Sequence, residues 1–176
     1  LHSDMSEIPR TKEPQYQALF ETAGQHGVSS LGIMSNQSWN EDPKRTLFTL
    51  ARYKFVAKML MGKTNVLEIG CGDAFGTRLV QQTVEHVTAV DFDPVFIDDI
   101  AERSNPNWPM ESFVHDLLEG PVPGHFDAVF SLDVLENIYR EYCSSETIRQ
   151  ILLNYVYNSY YYCFVFTINL LDTLIL

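Results

Sequence analysis

The chain has 176 residues, 45% hydrophobic and 20% charged, which suits one domain with a core of its own and excludes a disordered or fibrous protein. Twelve Lys and Arg stand against 23 Asp and Glu, a formal net charge of -11 that repels phosphate backbones and argues against nucleic acid as a general partner. The three cysteines, Cys71, Cys143 and Cys163, make neither a CxxC pair nor a disulfide framework, so they read as buried free thiols of a reducing compartment. No apolar signal segment opens the sequence and Leu1 stands in place of Met, so a trimmed or fragmentary start and a cytoplasmic location are the expectations.

Residues 1–43 are polar and rich in turn formers, with Pro9, Pro14, Gly24, Gly27 and Gly32. They are expected to form an N-terminal arm, serving either as a lid across a binding site or as a plain surface segment. From Pro43 the pattern changes: Leu47, Leu50, Ala51, Phe55, Val56, Met59 and Leu60 recur at three- and four-residue intervals, the mark of an amphipathic helix, with Gly62 as its stop.

Strands and helices then alternate. The spacing predicts a strand near 65–69, a helix near 75–84, a strand over 86–91 and a helix from Pro94 to about 103. A short strand near 112–115 and an almost wholly apolar one over 126–132 follow, with prolines marking the loops at 105–109 and 121–124. Such alternation calls for an α/β fold, a Rossmann-like and mostly parallel sheet flanked by helices, within a domain spanning 44–154.

The end of the chain departs from this pattern. From Ile151 to Leu176 there is no Gly, Pro, Lys or Arg, and residues 155–176 stand apart as an atypical apolar tail. Tyr160–Ile168 is a candidate fifth strand. A transmembrane helix fits less well, because Asn158, Asn169 and Asp172 interrupt a span near the minimum of about 18 residues. A third reading is a stretch that has left its reading frame, since these residue types share AT-rich codons.

The most informative segment is Val66-Leu-Glu-Ile-Gly-Cys-Gly-Asp-Ala-Phe-Gly76. A strand-like run ends in an acid and then in Gly70 and Gly72, and roughly 20 residues further on a second apolar run closes at Asp91. Glycines there let the backbone turn tightly beside a ligand, the turn offers free N–H groups, and the second acid can accept hydrogen bonds from a ribose. A dinucleotide fingerprint requires glycine or alanine where this chain has Phe75, which disfavours a nicotinamide-dependent oxidoreductase. The five histidines are scattered and suggest no metal site.

Glu68-Ile-Gly70-Cys-Gly72, Val90-Asp91, Val114-His-Asp116 and Phe126-Asp-Ala-Val-Phe-Ser-Leu-Asp133-Val-Leu-Glu136-Asn-Ile138 resemble, in order and spacing, the motifs of class I S-adenosylmethionine-dependent methyltransferases. The resemblance implies a role for each matched residue. Asp91 would hold the two ribose hydroxyls, or else merely cap a helix. Gly70, Cys71 and Gly72 would pass beneath the cofactor. Glu68 would anchor the methionine end, directly or through water, unless it serves a loop N–H instead. Asp116 would accept from the adenine amino group, with Leu117 against the ring and Phe92 facing adenine or packing in the core. Asp133 would lie near the transferring methyl group or the amino acid end, and is the candidate catalytic residue.

Asp93 reads as a helix cap, and His115 as a core residue pointing away from Asp116. Asn137 occupies the position at which family members often carry His, so a His-assisted mechanism there is not expected. The late strands of the family find no counterpart, so the sheet is expected to be truncated after the fourth or fifth strand. The resemblance implies S-adenosylmethionine as cofactor and methyl transfer to a small-molecule or glycan-type acceptor, with Trp39, Tyr53 and Trp108 as possible pocket aromatics. A non-catalytic or truncated S-adenosylmethionine-binding module is the alternative. Neither a membrane span nor a defined oligomeric state is implied.

Overall fold

The computed structural model describes residues 8–134. Leu135 onwards, with Glu136, Asn137, Cys143, Cys163, the candidate strand Tyr160–Ile168 and the tail 155–176, lies outside the described residues. The chain divides into two compact units between Ser30 and Leu31. In the first, a 3-10 turn at Pro14–Tyr16 leads into helix α1 (Gln17–His26), which buries none of its residues. The turn formers of this segment punctuate a helix rather than preclude one. Pro14 occupies a first-turn position where its missing N–H costs nothing, and Gly27 ends α1 with φ of 73°.

The second unit contains helices α2 (Ile33–Glu41), α3 (Pro43–Met59), α4 (Thr77–Gln81) and α5 (Pro94–Glu102), with strands β1 (Asn65–Ile69), β2 (His86–Asp91), β3 (Glu111–Val114) and β4 (Ala128–Ser131). The strands form one sheet in the order β3-β2-β1-β4, and every pairing is parallel. β1 is central and buried on both faces. Val66 joins Tyr53, Val56, Leu60, Val80 and Phe130 on one side, while Leu67 and Ile69 join Val90, Leu117 and Val129 on the other. No helix among the described residues is long and apolar enough to cross a membrane.

Two elements are shorter than their sequence pattern. α4 covers 77–81 rather than 75–84. Thr83 N–H donates to the Val80 carbonyl, a 3-10 bond that tightens and ends the helix, and the Thr83 hydroxyl donates to the carbonyls of Ala57 and Val80. β4 begins at Ala128; just before it Asp127 N–H donates to the Asn65 carbonyl at 2.7 Å, and its carboxylate accepts from Thr64 and Asn65 N–H at 2.8 and 3.0 Å.

α3 runs where its periodicity and Pro43 put it, capped by Asp42, which accepts from Lys44 N–H. Its buried face differs from the apolar pattern. Thr46, Tyr53, Val56 and Ala57 are inside, whereas Leu47 and Phe55 are 65% and 45% exposed. Tyr53 is drawn in because Gly76 leaves room for its ring, where a Cβ would overlap it, and because the ring meets Phe130 edge to face at 6.3 Å.

Candidate functional site

All four strands present their carboxyl ends to the same edge of the sheet, and the strand order reverses at β1 and β4, the place where open parallel sheets bind ligands. After β1 the chain turns at Gly70 and Gly72, with φ of 70° and 54°. A Cβ at Gly70 would overlap the Val134 side chain, so glycine is required there by space as well as by φ.

The turn is pinned from β2. Gly70 and Cys71 N–H donate to the Val90 carbonyl at 2.8 and 3.0 Å, and Gly72 N–H donates to Asp91 Oδ2 at 2.9 Å. Ala74 N–H donates to the Cys71 carbonyl and Phe75 N–H to Asp73 Oδ1. The expectation that this turn offers free N–H groups is therefore corrected at these five positions: three of the donors hold the loop against β2, and those of Ala74 and Phe75 close turns within it. With only five residues, α4 also adds little dipole. The ligand side of the loop consists of its shape and the Asp91 carboxylate.

Asp91 is buried, and its Oδ1 accepts from Asp93 N–H at 3.0 Å. Each carboxylate oxygen thus receives one backbone donor and keeps a second lone-pair site. A cavity of about 530 Å³ opens over this edge, lined by Gly70, Cys71, Gly72, Asp91, Phe92, Asp116, Leu117 and Asp133 among others. Burial pushes the Cys71 thiol up, which keeps it protonated and inert. Phe92 is 70% exposed and so does not pack in the core. Asp116 Oδ1 accepts from Leu118 N–H at 2.8 Å, fixing the carboxylate at the start of a 3-10 turn over Leu117–Glu119. Asp93 caps α5 by accepting from Val95 N–H.

His115 also lines the cavity, its Nε2 2.9 Å from the Gly120 carbonyl. The expected core orientation assumed strand alternation, but β3 ends at Val114, so His115 and Asp116 can turn to the same side. Of the three aromatics considered for the pocket, Tyr53 lines it; Trp39 is 54% exposed and Trp108 sits 6.0 Å from the Arg78 guanidinium.

Glu68 is the predicted residue that the cavity lining does not include. Only 1% exposed, it lies behind the wall and accepts from Tyr53 OH at 2.6 Å and from the Thr77 hydroxyl. Burial pushes its carboxyl from 4.5 up to about 7, against the two hydrogen bonds that favour the ionised form, with a further upward push from Asp73 and Asp91. Burial and the neighbouring Glu68 raise the Tyr53 phenol well above its ordinary value.

Helices α2 and α3 supply a wall whose residues the motifs did not reveal: Met34, Ser35, Thr46, Thr49, Leu50 and Arg52. Thr46, Thr49, Leu50 and Tyr53 share three- and four-residue spacing, a signal that was present but masked by the stronger apolar row on the same helix. Arg52 forms an ion pair with Asp133, whose φ of 61° is left-handed for a residue with a side chain. α2 is clamped to the glycine loop, since Asp73 accepts from Ser35 N–H at 2.7 Å and from its hydroxyl at 3.2 Å. Arg103 in turn donates to the Asp73 carbonyl and to Asp99.

The residues present suit a nucleoside-bearing cofactor, by virtue of a cradle that a Cβ would fill at Gly70 and a buried carboxylate with lone pairs to spare. Residues 66–152 match the family model of a methyltransferase domain. No curated protein matches. Among solved structures, the N-methyltransferase NodS from Bradyrhizobium japonicum WM9, in complex with S-adenosyl-L-homocysteine, is similar with a TM-score of 0.54 and 21% identity over 71% of this chain and 67% of that one. DhpI in complex with SAH gives a TM-score of 0.54 and 19% identity over 71% and 57%. The DhpI-SAM-HEP complex gives 0.50 and 21% over 75% and 63%. The chain thus spans about two thirds of the length of these proteins or less. Family match and fold agree: residues 66–152 match a methyltransferase domain, and the parallel sheet has the fold of the N-methyltransferase NodS.

Proposed function

We propose that this chain transfers the methyl group of S-adenosylmethionine to a small-molecule or glycan-type acceptor. The observation that carries this reading is Asp91, a buried carboxylate oriented by two backbone donors beside the glycine cradle. In this reading Asp91 accepts from the ribose hydroxyls and Gly70-Cys71-Gly72 pass beneath the cofactor. Asp116 accepts from the adenine amino group, with Phe92 and Leu117 beside the ring. Glu68 supports the methionine end through Tyr53, which faces the cavity, rather than by touching the cofactor.

The cofactor supplies, when bound, a methyl group on a sulfonium that is already a good leaving group. The protein's task is to align the acceptor in line with that methyl, and orientation of this kind supplies about 7–11 kcal/mol in favourable cases. Asp133 at the end of β4, steadied by Arg52, faces the methyl and the amino acid end, and takes up the proton that an acceptor loses. The acidity of the chain accords with an acceptor other than nucleic acid.

The test is calorimetric titration with S-adenosylhomocysteine, followed by methyl-transfer assays with labelled S-adenosylmethionine. Binding of S-adenosylhomocysteine but not of NAD, together with transfer to a small acceptor, is the expected result. Binding without transfer to any acceptor would support a non-catalytic module, and no binding by a folded chain would overturn the cofactor assignment.

A further inference from the structure

The charge of this chain is unevenly distributed. Residues 43–67 hold six of its twelve Lys and Arg and none of its 23 Asp and Glu. Most of these cations stand on α3. The inner face of that helix packs Tyr53, Val56 and Ala57 into the core and gives Thr49, Leu50 and Arg52 to the cavity. Its outer face does neither. Leu47, Phe48, Phe55 and Met59 are exposed along it, Phe48 at 69%, and Met61 just past the helix is 66% exposed. At the helical period Lys44 and Lys58 fall inside this apolar stripe, while Lys54 and Arg45 fall at its margins. None of these four cations forms an ion pair among the described residues.

A contiguous exposed apolar stripe marks an interaction surface, and the charges in it narrow the partner. The core of a protein–protein interface is depleted in Lys, whereas Lys44 and Lys58 lie within this stripe. A second copy joined through the same face would set cations against cations. Nucleic acid would engage the cations and leave Leu47, Phe48, Met59 and Met61 without a use. An anionic bilayer engages both kinds of side chain: apolar groups enter the boundary between headgroups and acyl chains, and lysine stems run beside them while their ammonium groups reach lipid phosphates. With 17 residues α3 is about 25 Å long, and no described helix is long and apolar enough to cross a membrane, so the helix would lie on the surface.

The net charge of -11 does not forbid this. At physiological ionic strength a charge is screened within about 8 Å. The acids of α5, Asp98, Asp99 and Glu102, belong to a helix packed on β2 and β3, whereas α3 packs on α2 and α4.

We propose that the outer face of α3 docks this protein on an anionic phospholipid bilayer. Leu47, Phe48, Phe55, Met59 and Met61 enter the headgroup boundary, and Lys44, Arg45, Lys54 and Lys58 meet lipid phosphates. The cavity is lined from the opposite face of the same helix, so docking and cofactor binding use separate surfaces. The proposal does not rest on the methyl-transfer reading.

The experiment is co-sedimentation of the full chain with vesicles of phosphatidylcholine alone and of phosphatidylcholine mixed with phosphatidylserine. Wild type should sediment with the mixed vesicles and not with the neutral ones, and high salt should release it. Lys54→Gln/Lys58→Gln should weaken binding roughly thirtyfold, from about 1 kcal/mol for each cation near the surface. Leu47→Ser/Phe48→Ser should weaken it at least about tenfold, through lost apolar burial. Both variants should keep the circular dichroism and thermal midpoint of wild type.

No sedimentation with the mixed vesicles overturns the proposal, as does equal binding to both kinds of vesicle. Binding that either folded double variant leaves unchanged overturns the assignment to α3. A dimer in sedimentation velocity that Leu47→Ser/Phe48→Ser dissolves, without vesicle binding, gives the face to a second copy instead. The lipid and salt comparisons use wild type alone, so they decide the outcome even where a variant fails to fold.

Discussion

Each oxygen of the Asp91 carboxylate accepts one backbone N–H, from Gly72 and from Asp93, so the side chain is oriented before any ligand arrives. Charged acceptors make the stronger hydrogen bonds, and Asp91→Ala should weaken S-adenosylhomocysteine binding by roughly 1.5–3 kcal/mol. Calorimetric titration of a variant shown to be folded checks this, and unchanged affinity would remove Asp91 from the ribose. Gly70 is constrained in a different way. Its φ of 70° suits glycine, and Val134 occupies the space of a Cβ. Gly70→Ala should cost at least about 1–2 kcal/mol, the price of a left-handed Cβ, measured as a fall in the urea midpoint.

At the scale of elements, the join of β1, α3 and α4 is the most consequential. Glu68 of β1 holds Tyr53 of α3 and Thr77 of α4 at once, so one buried carboxyl ties the central strand to two helices. Because its folded-state value is raised to about 7 from 4.5, the native state retains a proton that the unfolded chain has released. The group's contribution to stability is therefore complete below about 4.5 and is lost as pH rises through about 7. Relative to Glu68→Gln, the wild type should lose up to about 3 kcal/mol between pH 4.5 and pH 8. Urea unfolding of both proteins across that range checks the sign, and a difference independent of pH would mean that Glu68 is ionised throughout.

The clamp on α2 makes a second prediction at this scale. Asp73 holds Ser35 by two hydrogen bonds, so Asp73→Ala should speed hydrogen exchange in the first turn of α2 while leaving β1 protected. Equal protection in the variant would show that α2 is held without the Asp73 clamp, by packing and by the Ile33 N–H bond to Asp99.

At the scale of the whole molecule, the site is an edge property of the sheet: loops after β1 and β2, the turn after β3 and the end of β4 converge there, and α2 and α3 wall it. A ligand that binds only the assembled edge should stabilise the described domain as one body. At a hundredfold excess over its dissociation constant, S-adenosylhomocysteine should add about 2.7 kcal/mol, read as an upward shift in thermal unfolding that NAD does not reproduce. No shift from a cooperatively unfolding chain would mean that the edge is not assembled.

The sequence by itself determined the alternation of strands and helices, the two left-handed glycines and the acid that closes β2. These depend on period, on φ and on fixed offsets, all of which are local in the chain. It also set β1 and β2 to the residue, since apolar runs bounded by turn formers have few alternatives. Tertiary structure alone decided the rest. The N–H groups of Gly70, Cys71 and Gly72 looked free until β2 lay beside them and used them. Glu68 looked like a ligand-facing acid until the room left by Gly76 admitted the Tyr53 ring and its hydroxyl. Thr46 and Arg52 carried no motif, because what gives them meaning is the cavity across from α3, built by segments 20 to 90 residues away along the chain. Hydrogen bonds and burial between distant segments leave no periodic trace in a sequence, and most of this wall is made of them.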